Sequence, residues 1–155
     1  MFSLLNHFRT CLLKLWHLAD KNGWTSPPLA YGAWGEIWAE RYLRLSGCRI
    51  LGRNVRPCRH GEVDIIAAQG KTILFVEVKS RHTEAYGRPL GAIGRKKRRW
   101  MRRCANHWLA QQNLLGTDVL YRFDAIEIVG IPGEGVPKIC WIRMLNMEDA
   151  PPPEY

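Results

Sequence analysis

Asp64, Glu77 and Lys79 are the residues whose types and spacing could do chemistry. Twelve residues separate the two acids, and one separates Glu77 from Lys79. Asp64 lies in the run Gly61-Glu62-Val63-Asp64-Ile65-Ile66-Ala67, and Glu77 in Leu74-Phe75-Val76-Glu77-Val78-Lys79-Ser80-Arg81. Both runs alternate like strands, so residues two apart share a face: Glu77 with Lys79, and Glu62 with Asp64. An ionised carboxylate buried on a sheet is costly unless it is paired or bound to a cation. Oxygen ligands with no thiolate or paired imidazole nearby suit Mg2+ or Mn2+, which keeps waters and takes phosphate oxygens as further ligands. Lys79 beside such an ion can hold or help deprotonate an attacking water and stabilise charge developing on a phosphate. Hydrolysis of a phosphodiester is the reaction class this implies. The plain alternative is a solvated strand face whose Glu77–Lys79 pair is worth ~0–1 kcal/mol. The strongly apolar setting of both acids favours a central, site-forming position.

The elements that must position these residues follow from periodicity and breakers. Residues 32–45 read as a helix with Gly32, Gly35, Ala39, Leu43 and Ser46 along one side, where small side chains permit close approach to a sheet. Glu36 lies at the edge of that side. Trp34, Trp38 and Leu45 form a second apolar stripe that needs cover. Strands are expected at 48–55, 62–67 and 72–79, with Gln69-Gly70 turning the hairpin between the last two. A polar loop over 80–94 leads to a helix over 95–112, a strand over 120–129, a Gly/Pro loop over 130–137 and a short strand over 139–142. The order α-β-β-β-α-β gives an α/β fold, a mixed sheet flanked by helices.

Residues 1–20 alternate apolar Phe2, Leu5, Phe8, Leu12, Leu15, Trp16 and Ala19 with polar positions, as an amphipathic helix does. They lack a basic leader, an uninterrupted apolar stretch and a small-residue cleavage site, so neither a signal peptide nor a membrane span is expected. The apolar face either docks on the domain, a natural cover for Trp34 and Trp38, or on a partner, or lies at a membrane surface; docking is the expectation. The domain boundaries are thus 1–30 for this helix and its Gly/Pro linker, 31–147 for the folded domain, and 148–155 for a disordered acidic, proline-rich tail.

A formal net charge of +9 suits a polyanionic partner. The five cysteines are odd in number and contain no Cys-x-x-Cys pair, which points to reduced thiols in the cytoplasm rather than a disulfide framework or a zinc site. The densest charge is Arg95-Lys96-Lys97-Arg98-Arg99-Trp100-Met101-Arg102-Arg103. Its apolar stripe, Ile93, Trp100, Met101, Cys104, Trp108 and Leu109, fixes the inward side, on which Lys97 also falls. Lys97 there either snorkels or reaches the carboxylates or a scissile phosphate. Arg95, Lys96, Arg98, Arg99, Arg102 and Arg103 are placed to neutralise backbone phosphates, with Arg95, Arg98, Arg99, Arg102 and Arg103 facing outward and Trp100 in the core. Arg81, His82 and Arg88 follow Lys79 at the mouth of the site, where they can meet phosphate or order the loop. Asp124 and Arg122, two apart on a strand, read as a structural ion pair.

Asp64, then Glu77-x-Lys79, resembles the PD-(D/E)xK nuclease signature. With Gly32-x-x-Gly35-Glu36-x-x-Ala39-x-x-Tyr42-Leu43, Arg53-Asn54, the two runs quoted above and Arg122-Phe123-Asp124, the chain resembles the YraN family of bacterial endonuclease-like proteins over about residues 31–145. The resemblance implies the restriction-endonuclease-like fold, a relation to archaeal Holliday junction resolvases, Glu36 as a third acid near the metal, and a lysine at position 97 tilted toward the site. The expectation is a divalent-metal-dependent endonuclease acting on DNA, including branched or junction DNA. Asp64, Glu77 and Glu36 would surround the ion, Lys79 would act on water, and Glu62 would support them. No small-molecule cofactor and no membrane partner are expected, and a homodimer would suit paired incisions. The rival is a catalytically silent DNA-binding module of the same fold, and a third option is a membrane-surface adaptor.

Overall fold

The computed structural model describes residue 13 and residues 31–58, 61–83 and 94–143. Helix α1 spans Tyr31–Leu45, strand β1 Arg49–Cys58, β2 Gly61–Gln69 and β3 Thr72–Arg81. Helix α2, Arg95–Gln111, follows, and then β4, Leu120–Val129, and β5, Lys138–Ile142. The five strands form one sheet in the order β1-β2-β3-β4-β5. Neighbours are antiparallel except β3 and β4, which run parallel in a register from Thr72↔Leu120 to Arg81↔Val129, with α2 as the crossover. This is an α/β architecture of the restriction-endonuclease-like kind, with the expected element order, including the short strand expected over 139–142, which forms the edge strand β5.

The central strand, β3, decides the layering. Leu74, Val76 and Val78 pack with Trp34, Trp38, Ala39 and Leu43 of α1. Ile73 and Phe75 pack instead with Met101, Cys104, Ala105 and Leu109 of α2. Covered on both faces, β3 reads as a nearly continuous apolar run, as central strands do. By the same alternation Glu77 and Lys79 lie on the α2 face.

Helix α1 ends where Gly47, at φ 79°, donates to Arg44 O, and Cys48 donates to Leu43 O, both at 3.0 Å. These are the paired bonds of a Schellman cap, whose left-handed residue is glycine because a Cβ there is strained. Gly35, Ala39, Leu43 and Ser46 are buried as expected, whereas Gly32 is exposed. At Gly35 a Cβ would overlap Ser80 Oγ and come within 3.0 Å of Ser80 Cβ, so glycine is what lets α1 lie on β3.

Leu13, the described residue among positions 1–30, is helical, 4% exposed and shares a cluster with Trp34 and Trp38. The rest of that segment, and the tail from 144 onward, lie outside the described residues. Among the described residues no helix is long and apolar enough to cross a membrane.

Candidate active site

The β2–β3 ladder runs from Gln69↔Thr72 to Ile65↔Val76. Just past that pair, Asp64 Oδ2 accepts the Val78 backbone N–H at 2.7 Å, so the carboxylate stands at the seam where the two strands part. Glu77, one residue beyond Val76, is 2% exposed and meets a lysine at each oxygen. Lys79 Nζ lies 2.8 Å from Oε1, and Lys97 Nζ, reaching down from the first turn of α2, lies 2.6 Å from Oε2. Lys97 therefore reaches the carboxylates.

The electrostatics follow from this crowding. Burial, and then the charge of Glu77, push the Asp64 carboxyl from 3.8 to about 7, with Glu36 adding to the push and the Val78 N–H and Lys97 opposing it. Burial pulls the Lys97 ammonium toward neutrality, but the contact and charge of Glu77, with Asp64 and Cys104 behind it, more than offset this and hold its pKa above the ordinary 10.5. Two acids and two lysines thus share one partly desolvated place on the α2 side of the sheet.

Glu36 approaches from α1. Asn54 Nδ2 donates to Glu36 Oε2 at 2.9 Å, and Arg53 Nη1 lies 3.1 Å from Oε2 of Glu40, one turn further along α1. Adjacent strand residues ordinarily face opposite sides, but Asn54 takes φ 48°, a left-handed conformation that Asn tolerates better than most residues, and both side chains reach the helix. The Arg53-Asn54 pair in the sequence carried this signal, although its role as the clamp on α1 acids was not visible there. Glu62 does not join the cluster: Arg56 Nε and Nη2 hold its Oε2 at 2.8 Å. Among the described residues no group of three or more His, Cys, Asp or Glu side chains stands close enough to hold a metal ion, so Asp64, Glu77 and Glu36 are neighbours without forming a three-acid chelate.

The cationic residues divide. Arg95, Lys96, Arg99 and Arg103 on α2 are exposed. Arg98 and Arg102 are half-buried rather than outward, because at helical spacing they flank the buried Met101, Ala105 and Leu109. Trp100, expected in the core, is also half-buried, with the Arg103 guanidinium 5.7 Å above its ring. Arg81 pairs with the buried Glu127, Nε to Oε1 at 3.0 Å, which ties the end of β3 to β4. Glu127 escaped sequence reasoning; its signal was the alternation that places it on the face of Phe123 and Ala125. His82 stacks on Tyr31 at 4.1 Å, and Arg88 lies outside the described residues. Asp124 is fully buried and accepts from Arg122 Nε at 3.0 and 3.1 Å and from Trp141 Nε1 at 2.9 Å, a structural pair as its spacing predicted.

A model of the family described as "Uncharacterised protein family UPF0102" matches residues 35–128. A UPF0102 protein of Mycolicibacterium vanbaalenii is 43% identical over 112 residues, covering 72% of this chain and 89% of the relative. One from Nocardia farcinica is 44% identical over 104 residues, covering 67% and 80%, and one from Geobacter sulfurreducens 47% over 97 residues, covering 63% and 73%. The matched span holds Asp64, Glu77, Lys79 and Lys97.

Proposed function

The chain belongs to the UPF0102, or YraN, family, and from that premise we propose that it is a divalent-metal-dependent nuclease hydrolysing phosphodiester bonds of DNA, branched forms included. The observation that carries this is the meeting of Asp64 and Glu77 at the parting of β2 and β3, where burial and mutual repulsion push the Asp64 carboxyl to about 7. Such crowding leaves a shortage of positive charge at Asp64 that a cation would relieve. A pair of carboxylates crowded into one partly desolvated place fits a hard ion that keeps most of its waters. Asp64 and Glu77 would hold Mg2+ or Mn2+, with Glu36 near. The bound ion would supply Lewis acidity toward the phosphate and a lowered pKa for water.

The chain's own groups do the rest. Lys79, half-exposed and anchored on Glu77 Oε1, donates toward a phosphate oxygen and orients the attacking water. Arg95, Lys96, Arg99 and Arg103 neutralise backbone phosphates without reading sequence. The thiols of Cys58, Cys104 and Cys140, none of them in a disulfide, suit a reducing cytoplasm.

Cleavage of duplex, single-stranded and junction DNA with Mg2+ or Mn2+ tests the reading. A Lys79→Ala variant is expected to lose ~10²–10³-fold in rate. If the native chain is no faster than a Glu77→Ala, Lys79→Ala double variant on every substrate, the enzyme reading fails. One observation favours a second reading, a silent DNA-binding module: both Glu77 oxygens already face lysines. That module would bind DNA in a salt-sensitive way after loss of Asp64 and Glu77, and would cleave none.

A further inference from the structure

Away from the carboxylates, two sulfurs converge. Cys58 Sγ, at the end of β1, lies 3.3 Å from Cys104 Sγ on α2, one thiol donating to the other. A second feature points to the same spot. A Cβ at Gly61 would overlap Cys104 Sγ and lie 3.5 Å from Cys58 Sγ, so only glycine at this position lets both sulfurs close over the start of β2. Cys58 is half-buried and Cys104 fully buried, and no ion pair or metal site occupies them among the described residues.

We infer that Cys58 and Cys104 are a modification site, a dithiol that forms an intramolecular disulfide on exposure to a low-molecular-weight disulfide such as oxidised glutathione. The Cys58 thiolate, the more accessible, attacks one sulfur of the oxidant, forming a mixed disulfide and releasing a thiolate that takes up the proton Cys58 lost. Cys104 then attacks the Cys58 sulfur, breaking its bond to the glutathione and releasing a second thiolate, which takes up the Cys104 proton. Two protein thiols are oxidised and one oxidant disulfide is reduced to two thiols. Burial and the neighbouring Cys58 hold the Cys104 thiol up at about 12, so it is unreactive alone; conversion of Cys58 to the mixed disulfide removes the second of these causes. The sulfurs need to approach by about 1.3 Å to bond. The bridge would fasten β1 to α2 two turns from Lys97, on the inward side of the helix that reaches Glu77.

The full chain is equilibrated with oxidised glutathione, its free thiols are alkylated, and a non-reducing digest is mapped by mass spectrometry. The expected product is a peptide joining Cys58 to Cys104, two fewer alkylated thiols, and a melting temperature raised by ~5 °C or more that reverts with reductant. Cys104→Ala is expected to carry a stable glutathione on Cys58 instead, and Cys58→Ser to leave Cys104 reduced. Three results on the native, folded chain would overturn the inference: both thiols still alkylated at the highest oxidant, a glutathione on Cys58 that Cys104 never displaces, or bridges that use other cysteines or join two chains.

Discussion

Replacing Asp64 by Asn isolates the charge that shapes the site. The amide keeps an oxygen to accept the Val78 N–H now bound at 2.7 Å, and it removes the anion that burial, Glu77 and Glu36 disfavour. A carboxyl raised from 3.8 to about 7 on folding holds its proton in the folded chain over a range where the unfolded chain has released it. Stability is therefore fully kept below pH ~4 and falls as pH rises from there to about 7. At ~1.36 kcal/mol per pH unit the whole fall is about 4 kcal/mol, and partial access of water to the side chain brings the expected value to ~2–4 kcal/mol. Asp64→Asn has no such fall. It should be no more stable than the native chain at pH 4 and ~2–4 kcal/mol more stable at pH 8, with chelator present to exclude divalent ions. Urea unfolding followed by tryptophan fluorescence between pH 4 and 9 measures the difference. A gap that is constant with pH, or one that widens toward acid, would refute the account of Asp64 as a carboxylate strained by burial and like charge.

Gly35→Ala should destabilise by ~1–3 kcal/mol in thermal or urea unfolding although alanine is the better helix former, because the new methyl meets Ser80; Ser80→Gly in the same chain should restore most of the loss. Asp124→Ala should cost ~1–3 kcal/mol by the same measurement, since it removes the buried acceptor shared by the half-buried Arg122 guanidinium and Trp141 N–H, while Arg122 keeps its bond to Gln69 Oε1. Lys96→Ala with Arg99→Ala should weaken DNA binding alike across sequences and reduce the slope of log affinity against log salt by about 2, read by fluorescence anisotropy at several salt concentrations.

Much of this was legible in the chain because strands and helices write their own periods. The β4 boundaries fall at Leu120 and Val129 as alternation predicts, while β1 runs on to Cys58, past the expected end at residue 55. Arg56-Pro57-Cys58 carries no apolar alternation, yet β1 is an edge strand, where proline's missing N–H costs nothing if it faces outward. The Glu77–Lys79 pair was legible because it lies on one strand two residues apart. The Val78 N–H on Asp64, the left-handed Asn54 reaching Glu36 and the Glu127–Arg81 pair were not, since each depends on where two elements part or cross rather than on either one's pattern. Arg98 and Arg102 misled for a related reason: charge suggested exposure, but the face α2 buries is wide enough to draw in its flanks.

One helix thereby carries charge of two kinds, one lysine turned to the carboxylates and a set of cations turned to water. Lys97 points inward to Glu77, while Lys96, Arg99 and Arg103, displaced around the same helix, stay in water. Moving α2 outward by even a fraction of a turn would leave the buried Glu77 Oε2 without its cation, and would carry the basic face with it. The seating of α2 rests on Met101, Cys104, Ala105 and Leu109 against Phe75 and Phe123. Core packing at those residues therefore sets the charge balance of the carboxylate pair, and a core substitution such as Leu109→Ala acts on the site without touching it.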